Sequence, residues 1–472
     1  MEHKLAQIAG FFHDGIYYRQ LFKLALPIAI QQFVTASLNL VAMVLIGQLG
    51  EGSVAAVGLA NQVWFLLNLL VFGVVSGTAI FIAQLWGKRD TANIRKVVGI
   101  SLKLSLISAL LFWIIAIFFP EIILRVYTND TAVIEIGSRY LKIFGWSYIF
   151  YSITAVFSWA SRSTGNVRLP MIVSTVTLVL DVVLAIPLIF GMKFFGIPAL
   201  GVEGAAIAGL ISRLLECCGI LYFVYRDPHN PIAASIKEIL SVDLKFLIKV
   251  MNPVLPVILN EVFWSLGTTT YSVIYGHVGT IALASVNMIL TIEQLAFVVF
   301  QGIGNATAIM VGMQIGKGDH EKAFKYAGRS LALQSSAAML MGVLVHFLAG
   351  NILSLYKVDT QVMSNARILI NILSLGLWIK ASNQVIIIGI LRSGGDTRFS
   401  LILDGFVIWL VGVPFTAAGA FLFGFPIYLV YALTYSEEIV KLSIGLKRYI
   451  SRKWINDMTE RVADSTLLEE SV

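Results

Sequence analysis

Apolar runs of about twenty residues recur along the whole chain, and short segments carrying most of the charge separate them. A helix of this length crosses the roughly 30 Å hydrocarbon core of a bilayer. The apolar and polar alternation of outer-membrane barrels is missing. The pattern predicts an all-α polytopic membrane protein with twelve transmembrane helices, at about 21–46, 56–84, 98–119, 136–160, 170–190, 201–225, 250–275, 284–313, 326–348, 365–390, 399–420 and 425–446.

Glycine, proline and basic positions recur between the two halves of the chain. Pro27, Gly47, Gly50 and Gly87 return at one fixed offset as Pro256, Gly276, Gly279 and Gly316. Each half holds an even number of predicted spans, so both insert in the same direction as parallel six-helix repeats. We expect two lobes around a central cavity, with an N-terminal interfacial segment at 1–20, an N-lobe at 21–225, a cytoplasmic linker at 226–249, a C-lobe at 250–446 and a cytoplasmic tail at 447–472.

The seventh predicted span carries a carboxylate inside an apolar segment, PVLPVILNEVFWSLGTTTYSVIYGHVG. Glu261 begins a polar stripe that continues through Ser265 and Thr268 at helical spacing. A charged group at the centre of a span costs about 2.5–3.5 kcal/mol on insertion scales, so such residues usually turn inward and mark an ion or substrate pathway. Glu261 is therefore the first candidate for ion coupling, and the alternative is a structural carboxylate neutralised by a partner.

Two further charged residues lie inside predicted spans. Lys380 in the tenth span needs a partner at that depth, and Glu261 is the expected one. An ion pair that forms in only one conformation would be a switch, so Lys380, like Asp181, is a candidate for ion coupling. Asp181 in the fifth span shares a helix face with Ser174 and Thr177. Carboxylate and hydroxyl oxygens suit a hard cation, so Asp181 and Glu261 are candidate Na⁺ ligands. The alternative for Asp181 is a bond to neighbouring hydroxyls that serves helix packing.

Polar and aromatic residues within the predicted spans are candidates for binding a transported compound. Trp264 is one turn from Glu261 and could hold an organic cation over its ring. The full set of substrate-binding candidates is Gln32, Asn39, Trp264, Ser265, Thr268, Gln294, Gln301, Asn305, Asn383 and Gln384.

Composition and charge narrow the class of protein. The chain is 58% hydrophobic and 13% charged, with a mean hydropathy of +0.84, which excludes an ordinary soluble domain. Lysine and arginine concentrate in the loops after the even-numbered spans, so both termini are expected in the cytoplasm. We expect the protein to lie in the cell (inner or plasma) membrane, with membrane lipids as partners. This distribution accounts for the +7 formal charge without a nucleic-acid partner. The loops RSTGNVR and RSGGDTR are interpreted as basic anchors at that interface.

Several kinds of chemistry have no support in the sequence. The adjacent cysteines, Cys217 and Cys218, favour neither a disulfide framework nor a metal site. The six histidines are scattered and the loops are short, so we do not expect an enzyme. A nucleotide-binding Walker A motif is missing, so we expect no cofactor and an ion gradient as the energy source.

Motifs along nearly the whole chain resemble the multidrug and toxic compound extrusion (MATE) family of cation-coupled efflux transporters, of the bacterial or archaeal type. They are LALPIAIQQ, GQLG, AQLWGKRD, RSTGNVRLP, LGVEGAAIAGLISRLLE, LPVILNEVFW, YGHVG, VGMQIGKGD and GILRSGGDTR. The resemblance implies two lobes, a cavity between them, and export of mostly cationic, amphipathic organic molecules against influx of Na⁺ or H⁺. We also expect the protein to function as a monomer.

The chain departs from the family pattern at the positions that often carry acids. Ala42 stands where many members have an aspartate in the first span, and Ala381 lies near the acidic position of span ten. An acid in span seven usually falls at Trp264, one turn after Glu261, whereas Asp181 matches the fifth-span aspartate. The identity of the coupling ion and the lobe that binds it therefore stay open.

The alternative function is a lipid or lipid-linked oligosaccharide flippase of the same superfamily. The cavity of such a protein should carry several cationic side chains.

Overall fold

The computed structural model describes residues 14–463 except 193–195, 197, 241, 242, 355 and 357. Most of the predicted interfacial segment at 1–20 and the end of the predicted tail thus lie outside the described residues. The first half of the chain forms α1 (Gly15–Gly47), α2 (Glu51–Lys88), α3 (Thr91–Phe118), α4 (Pro120–Arg125), α5 (Thr131–Phe144), α6 (Ser147–Ser163), α7 (Arg168–Phe190), α8 (Val202–Arg226) and α9 (Ile236–Leu240).

The second half begins with four long helices and then mixes α and π geometry. Its elements are α10 (Leu244–Val278), α11 (Thr280–Gly316), α12 (His320–Leu353), α13 (Thr360–Gln384), π1 (Val385–Arg392), α14 (Thr397–Ser400), π2 (Leu401–Phe406), π3 (Ile408–Gly412), α15 (Val413–Ala417), π4 (Ala418–Leu422), α16 (Ile427–Leu433), α17 (Tyr435–Ile450) and α18 (Met458–Ala463). Because π turns are rare and occur mostly at functional sites, their concentration in predicted spans ten and eleven draws attention to that region.

Short polar residues fix where several helices begin. The Asp90 carboxylate accepts a bond of 3.1 Å from the backbone N–H of Asn93 at the start of α3. Asp319 does the same for Lys322, at 3.0 Å, at the start of α12. An aspartate at this position satisfies a backbone donor that the first helical turn leaves unpaired. These caps lie in the repeated motifs GKRD and GKGD, so that part of the repeat specifies equivalent helix starts in both halves.

The number of spans agrees with the predicted architecture. Among the described residues, ten helices are long and apolar enough to cross a bilayer, or eleven if α5 and α6, which meet at 51°, form one broken span. The predicted twelfth span corresponds to α16 and α17, which are 7 and 16 residues long, so neither is long enough to count as a span alone. The prediction of an all-α multi-pass membrane protein is confirmed, and the twelve-helix layout in two repeats is consistent with the structure.

The chain divides into two compact units. The N unit comprises residues 30–82 and 89–250. Among the described residues, the C unit comprises 14–29, 83–88 and 251–463. The first half of α1 and the last turn of α2 thus belong to the C unit, together with the second repeat.

Close helix packing in the C unit depends on small residues. A methyl group at Gly342 of α12 would lie 2.2 Å from the carbonyl oxygen of Ser374 in α13. Ala338, on the same helix, and Leu377 of α13 are fully buried. Small residues at such contacts let helix backbones approach within van der Waals distance, which is a main source of stability where lipid removes the hydrophobic driving force.

Substituting Gly342 by alanine should therefore destabilise the protein. The new methyl group meets a backbone oxygen that cannot rotate away, and overpacking of this kind costs about 1–3 kcal/mol. Gly350→Ala on the same helix is the matched control, because nothing lies within 4 Å of its added methyl group. Thermal unfolding in detergent should show a lower midpoint for Gly342→Ala alone. Equal midpoints for the two variants would contradict the proposed contact.

Candidate functional site

The Glu261 carboxylate lies inside the C unit and forms an ion pair. Glu261 is only 8% exposed, and Arg392, at the end of π1, is 3% exposed. The guanidinium Nη2 of Arg392 lies 2.7 Å from Oε1 of Glu261. The predicted pairing of Glu261 with Lys380 is therefore wrong. The interpretation of the RSGGDTR loop as an interface anchor also fails at Arg392, which is a buried partner of the carboxylate.

Lys380 pairs with a different carboxylate because of the helices that surround it. Since α13 packs against α11, the ammonium group of Lys380 reaches Oε1 of Glu293 at 2.7 Å. The Tyr431 hydroxyl donates to the other oxygen of Glu293 at 3.3 Å. The ammonium also lies 5.2 Å from the ring centre of Tyr435, which is within the range of cation–π attraction.

A third group of charges links π2 to α17. Asp404 accepts a bond of 2.9 Å from the amide of Asn260, the neighbour of Glu261, and lies 3.0 Å from the ammonium of Lys441. Lys441 is also 3.6 Å from Glu437. The amide of Asn383 donates to the Glu438 carboxylate at 2.7 Å. These contacts join four helical segments through polar side chains.

Gly412 of π3 brings a backbone close to this group. A methyl group there would lie 1.9 Å from the Tyr271 hydroxyl and 2.6 Å from Oε2 of Glu437. Glycine at this position leaves the room that the tyrosine and the carboxylate occupy. The phenol and the carboxylate thus face the same narrow space beside π3.

The charged groups described above are not equal in number: five are carboxylates and three are cations. We define the C-unit polar network as the five carboxylates and three cations just described. Its members are Glu261, Glu293, Asp404, Glu437, Glu438, Lys380, Arg392 and Lys441. Burying a charge without compensation is costly, so a network richer in carboxylates than in cations favours the binding of a further cation.

The predicted substrate-binding residues of the C unit occupy different environments. Ser265 is buried, whereas Trp264 is 41% exposed. Asn305 donates to the carbonyl oxygen of Gln301 at 2.8 Å, and Gln384 accepts from Gln334 at 2.6 Å. Thr268 is partly buried, and its hydroxyl bonds within its own helix. Gln294 is exposed. Their role in substrate binding stays a prediction.

Asp181 in the N unit has a partner on another helix. The Ser212 hydroxyl of α8 donates to Asp181 at 3.3 Å. Ser174 instead accepts a bond of 2.6 Å from the amide of Gln31, and the Thr177 hydroxyl donates to its own helix. Each of the three side chains thus has a hydrogen-bond partner outside this set. Within the described part of the chain, no group of three or more His, Cys, Asp or Glu residues could hold a metal ion.

A second ion pair lies close to Asp181. Arg213 pairs with Glu216 at 2.7 Å. The guanidinium lies 5.6 Å from the Trp64 ring centre and 5.7 Å from that of Tyr151. In the first span, Gln32 is partly buried and Asn39 is exposed. A role for Asp181, Gln32 and Asn39 in coupling or transport stays a prediction.

The two repeats make similar contacts with different chemistry, although Glu261 corresponds at the fixed offset of the repeat to Gln32 and not to Gln31. In the N unit, Arg162 of RSTGNVR donates to the amide oxygen of Gln31 at 2.7 Å. In the C unit, Arg392 of RSGGDTR binds the Glu261 carboxylate at the same distance. Each arginine thus reaches from the end of the fourth span of its half to the first span of that half. Sequence reasoning found the matching loops but missed these contacts, although the arginine shared by both loops was a usable signal.

The many apolar helices and their buried ion pairs define a helical, multi-pass membrane transporter. The MatE family model matches residues 27–186 and 256–418, one stretch in each half, and the chain belongs to this family of MATE multidrug efflux transporters. The double match supports the internal repeat.

Relatives of similar length share about a quarter of their residues with this chain. The probable multidrug resistance protein YoeA of Bacillus subtilis is 24% identical, over 84% of this chain and 86% of its own. The probable multidrug resistance protein NorM of Thermotoga maritima is 23% identical, over 92% and 93%. The chain therefore spans nearly the whole length of these proteins.

Solved structures confirm the fold. The Vibrio cholerae MATE transporter VcmN superposes with a TM-score of 0.84 at 18% identity, over 94% of this chain and 98% of its own. A transporter of the MOP superfamily from Pyrococcus furiosus gives a TM-score of 0.82 at 21% identity, over 93% and 97%. At this identity the likeness concerns the fold alone.

The Lys380–Glu293 pair should be needed for stability. Lys380→Met leaves Glu293 as an uncompensated carboxylate, and breaking a buried pair from one side costs about 3–5 kcal/mol. The double variant Lys380→Met/Glu293→Gln removes both charges and should recover most of the loss. Arg139→Met is the control, because its partners Glu135 and Glu203 are exposed and such pairs contribute about 0–1 kcal/mol. The midpoints of thermal unfolding in detergent measure the stability of each variant. A double variant that unfolds at a lower temperature than Lys380→Met would contradict the prediction.

Proposed function

We propose that this chain is a secondary active antiporter that exports organic, mostly cationic and amphipathic compounds in exchange for Na⁺ or H⁺. Membership in a family of multidrug efflux transporters supports the class of cargo. The observation that carries the proposal is the buried Glu261–Arg392 pair, set in a network with more carboxylates than cations.

The ion pair suggests how ion and drug are coupled. An incoming Na⁺ or H⁺ competes with Arg392 for the Glu261 carboxylate, and a cationic drug competes for the same negative charge. A ligand with equal affinity for two conformations does not shift the equilibrium between them. Coupling therefore requires a group that binds the ion or the drug more tightly in one conformation than in the other. A carboxylate that can exchange one cation for another meets this requirement. We propose that the alternation of access occurs by rocking of the two lobes.

The remaining expectations complete the proposal. The protein works as a monomer in the cell membrane with both termini in the cytoplasm, where the basic loops that follow the even-numbered spans would lie. It needs no cofactor beyond the coupling ion and does not act as an enzyme. Its partners are small organic cations and membrane lipids, without nucleic acid.

The alternative of a lipid or lipid-linked oligosaccharide flippase fits the C unit less well. Such a protein should offer cations to a pyrophosphate group. Here each of the buried cations Lys380, Arg392 and Lys441 lies within 3.0 Å of a carboxylate. Binding a polyanion would require breaking these pairs, at a cost of several kcal/mol for each.

Efflux of a fluorescent organic cation from proteoliposomes tests the proposal directly. A sodium gradient and a proton gradient are imposed separately, and one of them should drive transport by the wild-type protein. Movement under neither gradient, in protein shown to be folded, would exclude ion-coupled export of that cation. Flipping of a pyrophosphate-linked lipid would then be measured in the same vesicles.

Neutralising Glu261 should abolish coupled transport. Because Glu261→Gln alone leaves Arg392 buried without a counter-charge, the double variant Glu261→Gln/Arg392→Gln is compared with it. Both variants should lose gradient-driven efflux, and the double variant should be the more stable of the two. Glu135→Gln, whose side chain is 73% exposed, should transport like wild type. Undiminished efflux by the folded double variant would remove Glu261 from the mechanism.

A further inference from the structure

The segment that follows the last helix of the bundle packs into the protein. We define the docking segment as residues Arg452–Thr459. Trp454 and Met458 within it are both 0% exposed, although the sequence predicts a cytoplasmic tail here. The indole N–H of Trp454 donates to the carbonyl oxygen of Tyr449 at 3.0 Å, which turns the chain back after α17.

The docking segment binds the turn that comes directly after Arg392. The backbone N–H of Asn456 donates to the carbonyl oxygen of Gly394 at 2.9 Å, and its side-chain amide donates to the same oxygen at 3.1 Å. A methyl group at Gly394 would lie 2.2 Å from the Trp454 carbonyl oxygen, so only glycine leaves room for this approach. The next residue, Gly395, has φ of +75°, a conformation that also favours glycine.

Gln84, at the end of α2, connects the two pieces. Its side-chain amide donates to the carbonyl oxygens of Ser393 at 2.9 Å and Asn456 at 3.2 Å, and its oxygen accepts from the backbone N–H of Met458 at 2.7 Å. The side chain is 0% exposed. A buried amide with all of these partners holds the backbone next to Arg392 in one position.

Two ion pairs lie beside the contact between the docking segment and the turn, one from α17 to the turn and one from α2 to the docking segment. Arg448 lies 2.6 Å from Asp396, and Lys88 lies 3.0 Å from Asp457. Burial raises the pKa of Asp457, but bonds from Thr459 and Lys88 more than offset this and hold the pKa below its ordinary value. The carboxylate of the docking segment therefore stays charged at neutral pH.

We infer that the docking segment is a positioning element for the Arg392–Glu261 ion pair. By fixing Ser393 and Gly394, it keeps the Arg392 guanidinium on the carboxylate and thereby sets how strongly the coupling ion must compete. The inference rests on the proposed function, because Glu261 is the exchange site only if the protein is an ion-coupled exporter.

The direction of the effect follows from competition. When the segment is loosened, Arg392 spends less time on Glu261, and an incoming cation meets a weaker competitor. The charged groups that act on Glu261 are Arg392 at the end of π1 and Asp404 on π2, and Asp404 itself pairs with Lys441 of α17. Only Arg392 is adjacent to the turn that the docking segment holds.

Asn456→Asp tests this with little change of shape. The variant replaces an amide donor by a carboxylate that faces the carbonyl oxygens of Gly394 and Trp454. The concentration of the coupling ion at half-maximal efflux should fall about two- to ten-fold, the effect of losing the side-chain hydrogen bond to Gly394, which is the one that holds the turn. Arg392→Gln should shift it in the same direction, and Asn456→Asp should add nothing in that background. Lys453→Ala, an exposed neighbour, should behave like wild type.

A merely structural role would give a different result. It would lower the amount of folded protein or the maximal rate and leave the half-maximal ion concentration unchanged, which would overturn the inference. Asn456→Ala removes the donor without adding a charge and serves as the second variant if Asn456→Asp does not fold.

Hydrogen exchange separates this inference from the proposed function. Amide exchange across 389–396, measured by mass spectrometry in detergent, should be faster in the Asn456 variant than in wild type and in Lys453→Ala. Unchanged exchange overturns the positioning role whatever the transport assay shows. Faster exchange in a protein whose wild type transports no cation supports the contact and rejects the export function.

Discussion

The Glu261–Arg392 ion pair is the interaction on which much of the C unit depends. Two opposite charges 2.7 Å apart attract strongly in a medium of low dielectric constant, but each must first lose its water. Such a pair persists only where the surrounding backbone holds both partners in place. Arg392 sits at the end of π1, followed by a turn of two glycines, and the docking segment packs on that turn. The Glu261 carboxylate is thus connected, through Arg392 and this turn, to the docking segment.

The excess of carboxylates explains why this region suits exchange better than permanent structure. A network that served only packing would contain as many cations as carboxylates. Replacing such a network by apolar residues is often neutral for stability. Here Glu437 and Glu438 are adjacent to Lys441 and Asn383, yet the three cations of the network cannot neutralise five acids. A further cation lowers the free energy of this arrangement, so the protein gains stability when it binds the ion that it is proposed to transport.

Most of the fold could be predicted from the sequence, because long apolar runs have few alternatives in a membrane. The weak point was the last span, which is predicted as one helix at 425–446 and is divided in the structure into α16 and α17. The partners of charged residues were harder to predict. Lys380 and Glu261 are both deep in their spans, but pairing depends on which helices are neighbours and how each is rotated, and here α11 places Glu293 beside Lys380.

Arg392 and the docking segment were missed for a related reason. A basic residue in a Gly-rich loop is usually an interface anchor, and a polar tail after the last span is usually solvated. Burial of Arg392, Trp454 and Met458 depends on contacts between residues far apart in the chain, which periodicity does not record. The glycines at 394 and 395 were the one local sign that another backbone approaches closely.

The repeat offers a reason why the C unit, and not the N unit, would hold the exchange site. Both units place an arginine from the end of the fourth span of a half against the first span of that half. In the N unit Arg162 meets the amide of Gln31, which is neutral and cannot exchange one cation for another. In the C unit Arg392 meets Glu261, which can. At the fixed offset of the repeat, Glu261 corresponds to Gln32, the neighbour of Gln31. If the two halves began alike, a change from amide to carboxylate at this position would give the arginine a partner for which other cations can compete. The machinery for coupling would then require only one charged side chain, provided that the arginine opposite it was already in place.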